Sequence, residues 1–184
     1  MIQELREYIF EKEKWPAYWS LFNEICLPTR KNDYGVLKGL WLHEGEDEVR
    51  FFHLWQYASL NDRARLRVRL AAIPVWKNDF LPRAAATLTD QFIRILNPHQ
   101  ELNEEASGSA QSLAVYDCIP GQAGAFIHFL KRGGLTALSL WQSEFGNPNE
   151  VILLRDGLAE SDNEQYEKFV KNYSLLKVKI LQPM

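Results

Sequence analysis

Apolar and polar residues alternate at the start of the chain and then change to a helical spacing. Residues 3–10 alternate and include Tyr and Ile, which is typical of a strand. Pro16 suits the first turn of a helix, because its missing N–H would have no partner there. The apolar face predicted for this helix consists of Tyr18, Leu21, Phe22 and Ile25.

The pattern continues in an order that defines a fold. We predict strands at 35–43 and 49–57, a helix from 59 to about 72, a short helix at 76–86 and a strand at 89–96. The short polar turn GEDE makes the two middle strands a hairpin. Ser59 and Asp62 form a capping box that begins the next helix, and Pro74 ends it. The order βαββαβ is that of a ferredoxin-like unit.

The second half repeats this order in shortened form. The elements predicted there are strands at 112–118, 135–143, 150–158 and 175–181 and helices at 120–131 and 162–172. Leu140-Trp141 repeats Leu40-Trp41. The polar stretch 99–111 has linker chemistry. We therefore predict an α+β protein with two tandem ferredoxin-like units, 1–98 and 112–184, whose sheets each cover the other's bare face.

Composition narrows the function classes. The 184 residues carry a net charge of −3, which is the wrong sign for a dedicated nucleic-acid binder. No apolar run is long enough to cross a bilayer, and the first residues lack the basic and apolar regions of a signal peptide. Cys26 and Cys118 are isolated, as in a reducing compartment. We expect a cytoplasmic protein with no transmembrane segment and no nucleic-acid partner.

One stretch resembles a known family. The motif His53-Leu-Trp55-x-Tyr57-x-Ser-Leu-x-Asp-Arg63 is similar to the NIPSNAP family, and the likeness covers the first half. The second half lacks the motif, with Arg155 at the position of His53, so a site built on the motif is single or asymmetric.

The resemblance implies a fold and a range of functions. The fold is that of the dimeric α+β barrel superfamily, whose two ferredoxin-like sheets face one another, and here one chain would supply both as an intrachain pseudo-dimer. The superfamily includes cofactor-free monooxygenases, haem-degrading enzymes and plain ligand-binding modules. NIPSNAP-like proteins themselves have no settled enzymatic activity. Animal members are mitochondrial, but this chain starts directly at its first strand, so we do not transfer that location.

The candidate site lies on the strand at 49–57. His53, Trp55 and Tyr57 share one face, where an imidazole flanked by aromatics could orient a flat ligand in the barrel cleft. His53 could also be the base of a cofactor-free oxygenase. Large aromatic residues on strands mostly pack, so we favour a structural role for all three. The face of the sheet that carries His53 stays open, because no recognisable two-residue turn fixes the hairpin register.

Two further residues complete the candidate ligand-binding set. Arg63 lies at the edge of a helical apolar stripe and could clamp an anion, although we favour an ion pair with a carboxylate such as Glu44 or Glu7. Trp41 recurs in both halves, which is better explained by the fold than by a site. The neighbouring arginines at 65, 67 and 69 spread around the helix as a solvated face.

Two functions from different classes remain open. The first is a non-catalytic module that binds a small apolar or aromatic ligand or a partner, and it predicts a filled barrel or a cleft without perturbed titratable groups. The second is a cofactor-independent monooxygenase or isomerase-like enzyme with His53 facing an open cleft. No metal-ligand spacing, phosphate loop or nucleophile motif occurs, so we expect no metal and no cofactor. We favour the first function, and expect a homodimer because the short second half leaves apolar surface.

Overall fold

The protein has a mixed α+β fold built on antiparallel strands. The computed structural model describes residues 1–102, 110–133, 137–157 and 164–183. The strands are β1 (Ile2–Glu11), β2 (Val36–Glu44), β3 (Glu48–Tyr57), β4 (Asp90–Gln100), β5 (Ala110–Cys118), β6 (Ser139–Phe145), β7 (Glu150–Asp156) and β8 (Val170–Ile180). The α-helices are α1 (Trp15–Leu21), α2 (Leu27–Arg30), α3 (Leu60–Ala71), α4 (Leu81–Thr87) and α5 (Ala123–Arg132).

Two compact units divide the chain. The first comprises residues 1–93 and 181–184, and the second comprises residues 94–180. The division falls inside β4, ahead of the predicted boundary at Pro98, because the C-terminal part of β4 pairs with β6 from Ile95 to Gln100. Of the predicted linker, residues 103–109 lie outside the described residues.

In the first unit, β3 lies between β1 and β2. The Gly45 N–H donates to the Glu48 carbonyl at 2.9 Å and closes the β2–β3 hairpin, as predicted. The capping box is confirmed at its N-cap, where the Ser59 Oγ accepts from the Asp62 N–H at 3.1 Å. In the register of β1 and β3, Arg6 lies opposite His53. The pairing of β1 with β3 therefore sets Arg6 and His53 side by side. The hairpin register, which the sequence left open, sets His53 opposite Leu40.

Two helical stretches of the first unit widen into π-helical turns that end two residues before a proline. The turns are Phe22–Cys26, ahead of Pro28, and Trp76–Phe80, ahead of Pro82. Each is closed by an N–H that bonds the carbonyl five residues earlier. Proline has no N–H, and its ring clashes with the carbonyl four residues back, so the wider turn relieves the clash. Both turns contribute side chains to the cavity described below.

The second unit pairs its strands in the order β8, β5, β7, β6 and β4. The predicted helix over 162–172 is wrong where the structure describes it, since a single 3₁₀ turn covers Glu164–Tyr166 and β8 begins at Val170. The Tyr166 ring packs edge-on against Phe126 of α5, with ring centroids 5.1 Å apart. The apolar spacing that predicted a helix at 162–172 therefore reflects aromatic side chains that pack against α5.

Candidate functional site

A partly open cavity of about 250 Å³ lies within the first unit, between the sheet and the helices. Its polar lining residues are Arg6, Tyr8, Arg30, His53, Arg67 and Gln91. Its apolar lining includes Tyr18, Trp76, Phe80, Ala84 and Leu88. A smaller cavity of about 140 Å³ is lined by the same three arginines and also by Tyr57. The cavity is on the helix side of the sheet, so His53 lies on that face, which the sequence left open. The sequence predicted the ligand site in a cleft of the barrel.

His53 is buried in a cage of aromatic rings. Its imidazole stacks on Phe51 with centroids 5.0 Å apart and meets the edge of Tyr8 at 4.8 Å. The Trp55 Nε1–H donates to His53 Nδ1 at 2.7 Å. His53 Nε2 is buried and has no hydrogen-bond partner among the described residues. Because Nδ1 accepts, the proton of the neutral ring is on Nε2.

The surroundings of His53 keep its ring neutral. Burial, together with the charges of Arg6 and Arg30, lowers the pKa of His53 well below its usual range. A general base needs an unprotonated nitrogen that reaches the substrate. The unprotonated nitrogen here is Nδ1, which Trp55 already occupies. The remaining nitrogen is therefore a hydrogen-bond donor.

The buried carboxylate of Glu4 pairs with Arg6, which lines the cavity. Glu4 is fully buried and accepts from the Arg6 Nε at 2.6 Å and from the Arg63 Nε. Burial raises the pKa of Glu4, but the two guanidinium groups outweigh that effect and hold the pKa below its usual value. The predicted ion pair of Arg63 is confirmed, but its carboxylate is Glu4 rather than Glu44 or Glu7.

Arg30 is a buried cation with no carboxylate partner among the described residues. Only 4% of its surface is exposed, and its Nη2 donates to the Tyr34 carbonyl at 2.7 Å and to the Tyr57 hydroxyl at 2.9 Å. Its guanidinium carbon lies 3.3 Å from the centroid of the Trp55 ring, which is a cation–π contact. The Nε of Arg30 is buried without a partner in the described part of the chain.

The structure brings two of the five predicted ligand-binding residues to a cavity. His53 lines the larger cavity and Tyr57 the smaller one. Trp55 is fully buried and holds His53 and Arg30 in place. Trp41 is also buried and lines neither cavity, and Arg63 is engaged by Glu4 outside both.

Three cavity residues were missed by the sequence argument. Arg6 and Tyr8 are two residues apart on β1 and therefore share one face of the strand. A charged residue on an aromatic strand face was the sequence signal that could have indicated a polar site. Arg30 ends α2 after the π-helical turn, and nothing local in the sequence marks it as buried. Arg67 belongs to the helix face that we predicted to be solvated, yet it lines both cavities.

The described residues contain neither a cluster of metal-ligating side chains nor a membrane-spanning helix. No three His, Cys, Asp or Glu side chains there lie close enough together to hold a metal ion. None of the described helices combines the length and apolar character needed to span a bilayer.

Comparison with known proteins gives a family match and a fold match. The NIPSNAP family model matches residues 3–100. Protein NipSnap homolog 3B of Homo sapiens is 26% identical over an alignment of 163 residues that covers 82% of this chain and 65% of that protein. This chain therefore spans about two thirds of the length of that human relative.

Two solved structures share the fold across nearly the whole chain. One, from Fusobacterium nucleatum subsp. nucleatum, is named a "putative monooxygenase" and has a TM-score of 0.68 at 12% identity, covering 98% of this chain and 92% of that chain. Another of the same name, from Lactobacillus acidophilus, has a TM-score of 0.59 at 12% identity, with coverages of 97% and 93%. At this identity the likeness concerns the fold alone.

Proposed function

This chain belongs to the NIPSNAP family, and from that premise we propose that it is a non-catalytic module that binds a small apolar or aromatic molecule in its first unit. The observation that carries the proposal is the cavity of about 250 Å³ between sheet and helices. Its wall is mainly aromatic and aliphatic, with a few polar groups, which is the usual make-up of a small-molecule site. A dry cavity of about 150 Å³ can hold benzene, so a larger, one- or two-ring molecule fits here.

The geometry of His53 favours a binding role over a catalytic one. A cavity that His53 lines, and a titratable group there whose pKa is displaced, are features that we expected of the cofactor-independent oxygenase and not of the module. However, the lowered pKa and the occupied Nδ1 make His53 a poor base for forming a carbanion. Its Nε2–H can instead donate to a polar edge of the ligand. The monooxygenase names belong to neighbours of 12% identity, which supply no support for a reaction here.

The tandem organisation is part of the same proposal. Both units contain a strand, a helix and a hairpin in that order, which supports two ferredoxin-like copies and the intrachain pseudo-dimer implied by the resemblance. In the second unit, Arg155 donates to the Tyr116 hydroxyl at 3.0 Å, so the position matched to His53 carries a different contact. We therefore propose a single site per chain. The homodimer and the cytoplasmic location stay predictions, and sedimentation velocity tests the former.

The experiment compares two leucine substitutions on one helix. Ala84 is buried and lines the cavity, whereas Ala86 is exposed on the same helix and does not. We expect Ala84→Leu to fill the cavity, to abolish the binding of benzoate-sized aromatic fragments in a ligand-observed NMR screen, and to retain or raise the melting temperature. We expect Ala86→Leu to bind as the wild type does.

Two results would contradict the proposal. Fragments that bind wild type and Ala84→Leu equally would place the site elsewhere. Oxygen consumption by the wild type in the presence of a bound fragment, lost in His53→Ala, would favour the oxygenase.

A further inference from the structure

The cavity of the first unit is strongly cationic. Arg6, Arg30 and Arg67 all line it, and all three also line the adjoining smaller cavity. Glu4 is the carboxylate paired with Arg6, and it is shared with Arg63. Neither Arg30 nor Arg67 has an ion-pair partner among the described residues. The cavity therefore holds more positive charge than its walls neutralise.

The excess positive charge is energetically unfavourable at Arg30, because the side chain of this residue is buried. A charge taken out of water is unfavourable unless it is paired and hydrogen-bonded. Arg30 satisfies its Nη2 with Tyr34 and Tyr57, but its buried Nε–H is left without a partner in the described part of the chain. A guanidinium in this state can donate hydrogen bonds to an anion. Its planar set of N–H groups matches the two oxygens of a carboxylate.

Two other groups point to the same ligand chemistry. His53 Nε2 is a second buried nitrogen without a partner among the described residues, and its proton makes it a donor to an anion. Loss of surrounding water in the cavity mouth and the nearby charge of Arg6 lower the pKa of Arg67, so an anion beside it would be favoured. Arg67 remains exposed while lining the cavity, which places it at the opening.

We propose that the ligand is an amphipathic monocarboxylate, with its carboxylate held by Arg30 and Arg67 and its one- or two-ring apolar body against Trp76, Phe80 and Ala84. This inference rests on the proposed function, because it names the class of ligand for the same cavity. The apolar lining argues for a ring-bearing acid over an inorganic anion, and the three arginines argue against a neutral hydrocarbon.

The test pairs three carboxylates with their uncharged amides. Benzoate, 3-phenylpropionate and 2-naphthoate are titrated into the full chain beside benzamide, 3-phenylpropionamide and 2-naphthamide, and affinities are measured by calorimetry at pH 7. We expect at least one carboxylate to bind about tenfold more tightly than its amide, as hydrogen bonds to a charged group generally allow.

Two glutamine variants on α3 test the role of Arg67. Arg67→Gln removes a cavity charge, and Arg65→Gln removes the same charge from a residue that pairs with Asp62 and lines neither cavity. We expect Arg67→Gln to lower carboxylate affinity about tenfold while leaving amide affinity unchanged. We expect Arg65→Gln to stay within about twofold of the wild type, because exposed charges contribute little.

The outcomes separate the two proposals. Amides that bind as tightly as their carboxylates would overturn the anionic ligand and leave the binding module standing. An equal loss in Arg65→Gln and Arg67→Gln would overturn the contact with Arg67. If none of the six compounds binds, the binding function itself is contradicted.

Discussion

At the scale of single residues, the first unit carries buried polar groups on the helix side of its sheet. His53 is 2% exposed and Glu4 is fully buried, yet each has a defined environment. Glu4 is neutralised by two arginines, whereas His53 is kept uncharged by burial and by cations. At pH 7 these environments keep Glu4 ionised and His53 neutral, with separate consequences for stability.

The first consequence concerns pH and His53. Its pKa in the folded protein lies below the ordinary value of about 6.5, so the unfolded chain binds a proton that the folded chain does not. This contribution to stability is fully present above about pH 6.5 and falls by up to about 1.4 kcal/mol per pH unit below it. We expect His53→Gln to reduce this slope in urea unfolding between pH 7.5 and 5.5, leaving the smaller part that His99 contributes through its own lowered pKa.

His128→Gln is the matched control, because His128 is exposed on α5. It should keep the wild-type pH dependence. If His53→Gln kept that dependence as well, the neutral buried histidine would be contradicted.

The second consequence concerns Glu4. Glu4→Gln leaves Arg6 and Arg63 without their carboxylate, and breaking a buried ion pair costs about 3 kcal/mol or more. Because the pKa of Glu4 is lowered, its contribution is full above its unfolded value of about 4.3 and is lost as the pH falls through the folded pKa. We expect a gap in unfolding free energy between wild type and variant at pH 7 that narrows below pH 4.

Glu11→Gln provides the comparison, because Glu11 pairs with Lys14 at the surface. Its effect should stay below about 1 kcal/mol. Equal effects of the two substitutions at pH 7 would show that Glu4 is not the buried counter-ion.

At the scale of elements, local patterns predicted most strands and the hairpin but not the cavity. Alternation and capping are properties of neighbouring residues, and the described structure confirms β1, β3 and α3 where they were expected. The cavity depends on contacts between distant positions, such as Glu4 with Arg63, which lie 59 residues apart. Arg30 was missed for the same reason, since its burial follows from a π-helical turn and from Trp55.

One prediction at this scale concerns Gly39, which lies close under the Trp41 ring of the same strand, β2. A Cβ added at Gly39 would clash with the Trp41 ring, so Gly39→Ala forces a buried indole to move. Overpacking of this kind costs about 1–3 kcal/mol. We expect Gly39→Ala to lower the unfolding free energy by about 2 kcal/mol in urea titration. This loss would support the structural role of Trp41.

Gly124→Ala is the control for that measurement. Gly124 lies in α5 with open space around its Cβ position, so alanine should stabilise the helix by about 0.5–1 kcal/mol. A Gly39→Ala variant as stable as the wild type would contradict the packing of Trp41 over Gly39.

At the scale of the whole molecule, the two units differ in the residues that a site would need. The first unit has His53 beside Trp55, and the second has Arg155 and Gly157 at the positions that the repeat matches to them. The NIPSNAP match likewise covers residues 3–100. In the tandem organisation that we propose, the change of these residues supports a division of roles, with the proposed binding site in the first unit.

The most direct test of the central claim is a crystal structure of the full chain grown with 3-phenylpropionate. We predict one molecule per chain, with its ring beside Trp76 and Phe80 and its carboxylate at Arg30 and Arg67. Ligand bound elsewhere while this cavity stays empty would contradict the assignment of the cavity as the binding site.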